Sequence, residues 1–255
     1  MKIQFGLTAN DYSKYRFGYP LELFERLQQF NVGLPEQKIL DIGTGTGYLA
    51  RPLAKQGSHV VGLDPSDKLL EQAKKLDREN NVSISYVTGQ AENLPFEDNS
   101  FDVVTAGQCW HWFDSEKAVQ EVYRVLKKDG KLIIVHFDWI PLEQNVVAQT
   151  EELILKFNPE WKGANGKGIY PQWLNDVALG GFEDIETFTF DVPVSYSHEG
   201  WRGRIRASAG VGASLSEKEV EQFDKTLAEL LKANFKKEPM LVPHRTFCLI
   251  CRKPF

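Results

Sequence analysis

Short apolar runs and segments of helical spacing alternate along the first half of the chain. The stretches "KILDIG" (38–43), "HVVGLD" (59–64), "VSISYVTG" (82–89), "FDVVTAG" (101–107) and "KLIIVHFD" (131–138) read as strands. Their interiors are continuously apolar, as strands buried on both faces require. In "PLELFERLQQF" (20–30), Leu23, Phe24, Leu27 and Phe30 share one helical face. "YLARPLAKQ" (48–56) reads as a helix stopped by Gly57, with Pro52 out of place, because a proline past the first turn removes a ladder bond. Ser66 is placed to cap "DKLLEQAKKLDRE", and Ser115 to cap "SEKAVQEVYRVLKKDG", which Gly130 ends. Strands separated by helices of this length predict an α/β, doubly wound, mostly parallel sheet with helices on both faces.

Beyond residue 140 the rhythm changes. "EQNVVAQTEELILKFN" (143–158) and "PQWLNDVAL" (171–179) read as helices joined by a glycine-rich segment. "FEDIETFTFDVPV" (182–194) alternates as a strand does. "HEGWRGRIRAS" (198–208) and "SEKEVEQFDKTLAELLKANF" (216–235) are helical, the second opening on a capping box from Ser216 to Glu219. A strand in "HRTFCLICRK" closes the chain. With no repeat or linker in view, residues 1–255 read as a single domain: a core over 1–140, helical cap insertions at 141–181 and 195–240, and the last strands at 182–194 and 244–253.

Composition narrows the classes. The 255 residues are 42% hydrophobic and 25% charged, with a net charge of −5. That acidic balance speaks against a nucleic-acid partner. No apolar stretch approaches a membrane span, and the N-terminus lacks the apolar segment of a secretory signal, so a cytoplasmic protein is expected. Of three cysteines, Cys248 and Cys251 have the spacing of half a zinc or redox motif. On a strand, positions three apart point to opposite faces, which favours packing over a shared metal. The histidines show no metal-ligand spacing, and no metal is expected.

The chemistry concentrates in "ILDIGTGTGYLA" (39–50), where Gly43, Gly45 and Gly47 follow an apolar strand. Glycine permits positive φ and a ligand's close approach, and the amides at a helix start attract anionic groups. The spacing is G-x-G-x-G; a dinucleotide fingerprint would need glycine where Tyr48 stands, and no Gly-Lys-Ser/Thr follows for a phosphate loop. Asp64 ends the second strand about 20 residues on and can accept from both hydroxyls of a ribose. Gln90, Ala91 and Glu92 follow the third strand at the same edge, where an amide and a backbone N–H can read an adenine ring.

Together "ILDIGTGTG", "VVGLDPS", "GQAENLPFEDNSFDVV" and "EVYRVLKKDGKLII" resemble the class I S-adenosylmethionine-dependent methyltransferases, of the type 11-like kind, in order and spacing over roughly residues 35–138. The resemblance implies a Rossmann-like, seven-stranded, mostly parallel sheet whose last strand is antiparallel. It implies S-adenosylmethionine as cofactor, S-adenosylhomocysteine as product and a small-molecule methyl acceptor. By that resemblance Gly43, Thr44, Gly45 and Gly47 line the methionine part, and Asp41 helps hold its amino end. Asp64 takes the ribose, Pro65 lies near the adenine, and Gln90, Ala91 and Glu92 face the ring. Gln108 lies near the sulfonium. "YSKYRFGYP" (12–20) and "GQCWHWFD" (107–114) look similar to the trans-aconitate methyltransferase subgroup, in which an N-terminal segment closes over the cofactor. Tyr15 and Arg16 match that segment; Phe17 stands where proline is usual, and an aromatic staple on the core is the other reading.

Methyl transfer needs positioning, and a base only where the acceptor carries a proton. His111 is the base candidate, with a structural histidine between Trp110 and Trp112 as the other reading. Arg202 and Arg206 share a helical face and could hold an anionic, carboxylate-bearing substrate beside Trp110, or could form a solvated basic face. Trp139, Trp161, Trp173 and Trp201 either wall an apolar pocket or pack a core. A nicotinamide-dependent oxidoreductase and a non-catalytic protein that binds or senses the cofactor remain as competing functions. A monomer or a homodimer is expected.

Overall fold

The computed structural model describes residues 18–254. Tyr15 and Arg16 lie outside the described residues. Among the described residues the helices and strands through the fifth strand are α1 (Leu21–Gln29), β1 (Lys38–Ile42), α2 (Ala50–Lys55), β2 (His59–Asp64), α3 (Asp67–Glu79), β3 (Ser85–Thr88), β4 (Phe101–Gly107), α4 (Ser115–Val125) and β5 (Leu126–Trp139). A single 3₁₀ turn, Trp110–Trp112, lies between β4 and α4. Then come α5 (Val146–Phe157), α6 (Gln172–Leu179), β6 (Glu183–Tyr196), α7 (His198–Arg206), α8 (Glu217–Asn234) and β7 (Met240–Arg252).

The seven strands form one sheet in the order β3-β2-β1-β4-β5-β7-β6. The ladders β1–β2, β1–β4, β2–β3 and β4–β5 are all parallel. This is the expected Rossmann-like α/β architecture. From β1 the chain winds outward through β2 and β3 on one side and returns to β4 and β5 on the other. The order therefore reverses between β1 and β4, and the carboxyl ends of these two strands are where open α/β sheets take ligands.

Two compact units are distinguished. One contains residues 18–137, 170–190 and 246–254. Its core has two layers. Leu40, Ile42, Val104, Val122, Leu132 and Cys251 belong to one cluster; Ile39, Leu27, Leu53, Val103, Ile133 and Cys248 belong to the other. Alternation along each strand produces this division. Cys248 and Cys251 thus sit in different clusters, and burial pushes both thiols upward. No cluster that could hold a metal occurs among the described residues. The other unit includes residues 138–169 and 191–245. Here Trp201 is fully buried and donates to Thr150 Oγ1 at 3.0 Å. Trp139 packs edge-on against it at 5.5 Å and donates to Glu151. Trp201 is thus core, while Trp139 is half-buried against it. No described helix is long and apolar enough to cross a membrane.

Several local expectations change. The helix α2 starts at Ala50, so Pro52 falls in its first turn, where a missing N–H costs no intrahelical bond. Ser66 precedes α3 but its hydroxyl makes no capping bond. The cap of α4 is Asp114, one residue earlier than Ser115, accepting from Lys117 N. That helix ends at Val125 rather than Gly130, because β5 begins at once. Phe101 pairs with Leu126 and Val103 with Lys131, so the intervening residues form a bulge. Lys127 Nζ closes it on Asp102 at 2.7 Å. The helix α6, expected within a cap insertion, belongs to the sheet unit with Trp173 and Val177 in its core. The capping box of Ser216 and Glu219 is formed as read.

Candidate functional site

The loop after β1 lies at the strand-order reversal. Gly43, Gly45 and Gly47 all have positive φ, 62°, 55° and 80°. A side chain at Gly43 would strike Cys109 Cβ at 2.7 Å and Sγ at 2.8 Å, and one at Gly47 would meet Arg51 and Tyr86 at 2.9 Å. A side chain at Gly45 would meet nothing within 4 Å. Two of the three glycines are therefore required by the protein's own packing. The third presents bare backbone to open space.

The loop is gripped from two sides. Asp64, at the end of β2, accepts from Gly45 N through Oδ2 and from Ser66 N through Oδ1, each at 2.9 Å. A carboxylate has further lone pairs for other donors. Asp64 is 6% exposed, and burial raises its pKa against the lowering effect of those two amides. On the other side Arg51, also buried, donates to the Thr46 carbonyl and pairs with Asp77. The sequence reading missed Arg51: a lone arginine in an amphipathic helix carries no signal that it faces inward.

Asp41 lies beneath the loop at 1% exposure and accepts from Thr105 Oγ1 at 2.7 Å. Burial raises its pKa to about 6, with the Thr44 and Thr105 hydroxyls opposing and the Asp64 charge reinforcing the shift. Thr44 is buried at the start of the loop.

The edge after β3 is more open. Pro65 and Gln90 are exposed, and Ala91 is buried. Gln90 and Asn93 form a short antiparallel bridge. Glu92 Oε1 accepts from Asp114 N at 3.0 Å, so it ties this segment to the start of α4.

After β4, Gln108 adopts φ 61° and its side-chain nitrogen donates to the Phe137 carbonyl at 2.6 Å. Cys109 Sγ donates to Ile42 O at 3.2 Å, stitching this segment to the end of β1. Trp110 departs from its expected substrate-facing role. It is 1% exposed, packs in the core and donates to Asp176 at 3.2 Å. The exposed indole is Trp112, at 47%.

His111 is exposed, and its Nδ1 lies 3.3 Å from His136 Nε2. His136, only 2% exposed, places its Nδ1 3.1 Å from Tyr170 Oη. Tyr170 stacks on Trp173 with ring centres 4.0 Å apart. Neither His136 nor Tyr170 was singled out in the sequence, because they reach His111 from β5 and from the segment before α6.

Arg202 and Arg206 share a face of α7, as their spacing requires, but the carboxylate they hold is internal. Asp224 of α8 accepts from both, and Glu199 pairs with both at 3.0 Å.

Residues 40–134 match the family model described as "Methyltransferase domain". A demethylmenaquinone methyltransferase of Thermotoga maritima is 36% identical over 122 residues, 47% of this chain and 52% of that protein. The chain spans about half the length of the curated relatives it matches. The crystal structure of the YcgJ protein of Bacillus subtilis is 24% identical, with a TM-score of 0.59 over 90% of this chain and 97% of that one. Phosphoethanolamine N-methyltransferase 2 of Haemonchus contortus, solved with phosphomonomethylethanolamine and S-adenosylhomocysteine, is 21% identical. Its TM-score is 0.58 over 97% of this chain and 57% of that one. The chain thus has the fold of these proteins, and the part of it that matches the methyltransferase domain is the part that carries the glycine loop and Asp64.

Proposed function

We propose that this chain transfers a methyl group from S-adenosylmethionine to a small-molecule acceptor. The observation that carries the reading is the open space before Gly45, beside a buried carboxylate on the neighbouring strand. The residues present fit the cofactor. The bare backbone of Gly43–Gly47 would lie along its methionine part, and Asp41 would face the amino end. The remaining lone pairs of Asp64 would accept from the ribose hydroxyls. Pro65, Gln90, Ala91 and Glu92 would border the adenine, and Gln108 the sulfonium side.

When bound, the cofactor supplies an activated methyl group, so the protein needs no nucleophile of its own. What the chain supplies is position. Arg51 and Asp64 both hold the loop, and Asp41, its pKa raised to about 6 by burial, is mostly ionised at pH 7 and would meet a cationic amino end. Ribose hydroxyls donating to Asp64 would favour its ionised form and offset its burial. The "GQCWHWFD" stretch supports an acceptor side like that of the trans-aconitate methyltransferase subgroup, with His111 facing the acceptor. Since Arg202 and Arg206 already hold Asp224, the acceptor's carboxylate, where it has one, is assigned no partner in that pair.

Calorimetric titration with S-adenosylmethionine and S-adenosylhomocysteine tests the reading. Asp64→Ala loses charge-assisted bonds of about 1.5–3 kcal/mol, which corresponds to a fall in affinity of about tenfold or more. Unchanged affinity would remove the ribose assignment. Absence of binding to the wild type would remove the cofactor.

A further inference from the structure

We propose that Arg124, in the last turn of α4, is a positioning residue for recognition of the adenine ring: with Glu121 it fixes the segment after β3 in the one course from which its backbone can read the ring's edge. This rests on the reading that Gln90 and Ala91 border the adenine of the cofactor.

Residues 89–100 join β3 to β4, and apart from the bridge of Gln90 with Asn93 they belong to no helix or strand. The backbone groups of such a segment need partners from elsewhere. Its two ends are held by backbone. Gly89 N donates to Asp64 O at 3.3 Å, and Asn99 N and Ser100 N donate to the carbonyls of Arg124 and Val125 at 3.0 and 2.8 Å. Its middle is held by one side chain. Arg124 Nη1 donates to Phe96 O at 2.7 Å and to Asp98 Oδ1 at 2.9 Å. Nη2 donates to Leu94 O at 2.9 Å and to Glu121 Oε2 at 2.7 Å, and Nε donates to Glu121 Oε1 at 2.8 Å. All five guanidinium N–H groups are thereby used. Glu121 Oε2 also accepts from Leu94 N at 2.7 Å, so the pair takes both the N–H and the carbonyl of Leu94.

Ala91 and Leu94 are both buried in the core of the sheet unit, and between them Asn93 N donates back to Gln90 O at 3.3 Å. The start of α4 adds another tie, from Asp114 N to Glu92 Oε1. One helix therefore grips the segment at Glu92 from its first turn and at Leu94, Phe96 and Asp98 from its last, while Gln90 stays exposed. Two of the stretches that carry the family resemblance, "GQAENLPFEDNSFDVV" and "EVYRVLKKDGKLII", meet in these bonds.

Adenine presents an amino group that donates and a ring nitrogen, N1, that accepts. Hypoxanthine inverts both: its O6 accepts and its N1–H donates. The side-chain amide of Gln90 can turn over and serve either ring. The Ala91 N–H cannot, since the direction of a backbone donor is set by the course of the chain. Discrimination between the two rings thus falls to the backbone, and the bonds that set its course come from Arg124 and Glu121. Lysine at 124 would keep the charge, but its donors sit on a single atom and cannot reproduce the fork.

Calorimetric titration of the full chain with S-adenosylhomocysteine and S-inosylhomocysteine tests this. The wild type is expected to prefer the adenine ligand about tenfold or more, because the hypoxanthine ring sets its N1–H against the Ala91 donor. In Arg124→Lys the affinity for S-adenosylhomocysteine is expected to fall about tenfold and that for S-inosylhomocysteine by less than about twofold, so that the preference is lost. Glu121→Gln, which turns a side-chain N–H against the guanidinium or against Leu94 N, is expected to do the same, and it serves where Arg124→Lys does not fold. An equal loss for both ligands would make Arg124 structural only and overturns the positioning role, as does an unchanged preference. Hydrogen exchange in the ligand-free chain reads the bonds themselves: exchange at the Leu94 amide is expected to quicken about tenfold in either variant, and unchanged exchange overturns the role equally. The wild type separates the levels. Binding of neither ligand defeats the methyltransferase reading, whereas S-adenosylhomocysteine bound without preference over its inosyl analogue defeats the adenine assignment, and the role of Arg124 with it, but leaves the cofactor.

Discussion

The ends of β1 and β4 are neighbours in the sheet, yet their two edges are built in opposite ways. The edge after β1 is local. Gly43–Gly47, Arg51 and Asp64 lie within one βαβ unit, and the bonds among them run between backbone amides, carbonyls and two charged side chains. The edge after β4 is assembled from distance: His111 follows β4, His136 lies within β5 and Tyr170 precedes α6. The first edge is shaped by backbone conformation, which only certain residue types permit. The second is shaped by side chains that converge after folding, and any of them could occur anywhere in the chain. The edge proposed for the cofactor is accordingly written into spacing, and the edge proposed for the acceptor is not.

The sharpest way to break this comparison is to add one methyl group at two of the glycines. Gly43→Ala must fit a Cβ 2.7 Å from Cys109 Cβ at φ 62°. Overpacking and positive φ together predict a loss of about 2–4 kcal/mol in urea unfolding. Gly45→Ala meets no atom, so only its φ of 55° counts, and about 1–2 kcal/mol is expected. Its larger effect should be on S-adenosylmethionine affinity, down by about tenfold or more, because the new methyl group occupies the space reserved for ligand. If Gly45→Ala binds normally, that space serves something else, and the local edge loses its functional meaning.

The same contrast explains what was legible. Strand positions and helix faces followed from periodicity, since burial on a sheet or a helix repeats every few residues. The outcome at Leu23, Phe24 and Leu27, all buried on α1, shows this. Cys248 and Cys251 fell on opposite faces by the same rule. Helix ends were less legible. Asp114 caps α4 in place of Ser115, and β5 takes over at Leu126, because a bulge against β4 competes with another helical turn. Trp110 was misread for a related reason: beside an exposed histidine, sequence cannot tell which neighbouring indole turns inward. Arg51 was invisible because its importance lies in the Thr46 carbonyl it reaches.

Asp41 offers a second test, through pH. Its folded pKa of about 6 lies above the ordinary carboxylate value of 3.8. The folded state therefore binds more proton than the unfolded state between about pH 4 and 6. Stability from this group is greatest below that window, falls as pH rises through it, and stays reduced above it. At pH 7 the ionised, buried carboxylate costs about 3 kcal/mol at most. Asp41→Asn keeps an oxygen to accept from Thr105 Oγ1 and removes the charge. It should be more stable than the wild type at pH 7, equal to it near pH 4, and weaker in binding the cationic amino end of the cofactor. Greater stability with undiminished affinity would show that Asp41 shapes the loop without touching ligand.

The smallest effect is expected in the other unit, where Asp224 joins α7 to α8. Burial alone would raise its pKa, but the forks of Arg202 and Arg206 outweigh burial and hold it below the usual carboxylate range. The sign is opposite to that of Asp41. Asp224 contributes stability above the unfolded carboxylate value, and that stability is lost as pH falls through the folded one. Asp224→Asn should cost about 1–2 kcal/mol at pH 7 and flatten the acid side of the stability profile. It also distinguishes structure from recognition at the arginines. With Asp224 neutral, two guanidiniums lose their shared anion, and a soluble carboxylate such as acetate should partly restore the melting temperature of the variant. If instead Asp224→Asn leaves stability unchanged and alters methyl-acceptor preference, the arginine pair belongs with the acceptor side after all, and that side would draw on a third distant segment of the chain.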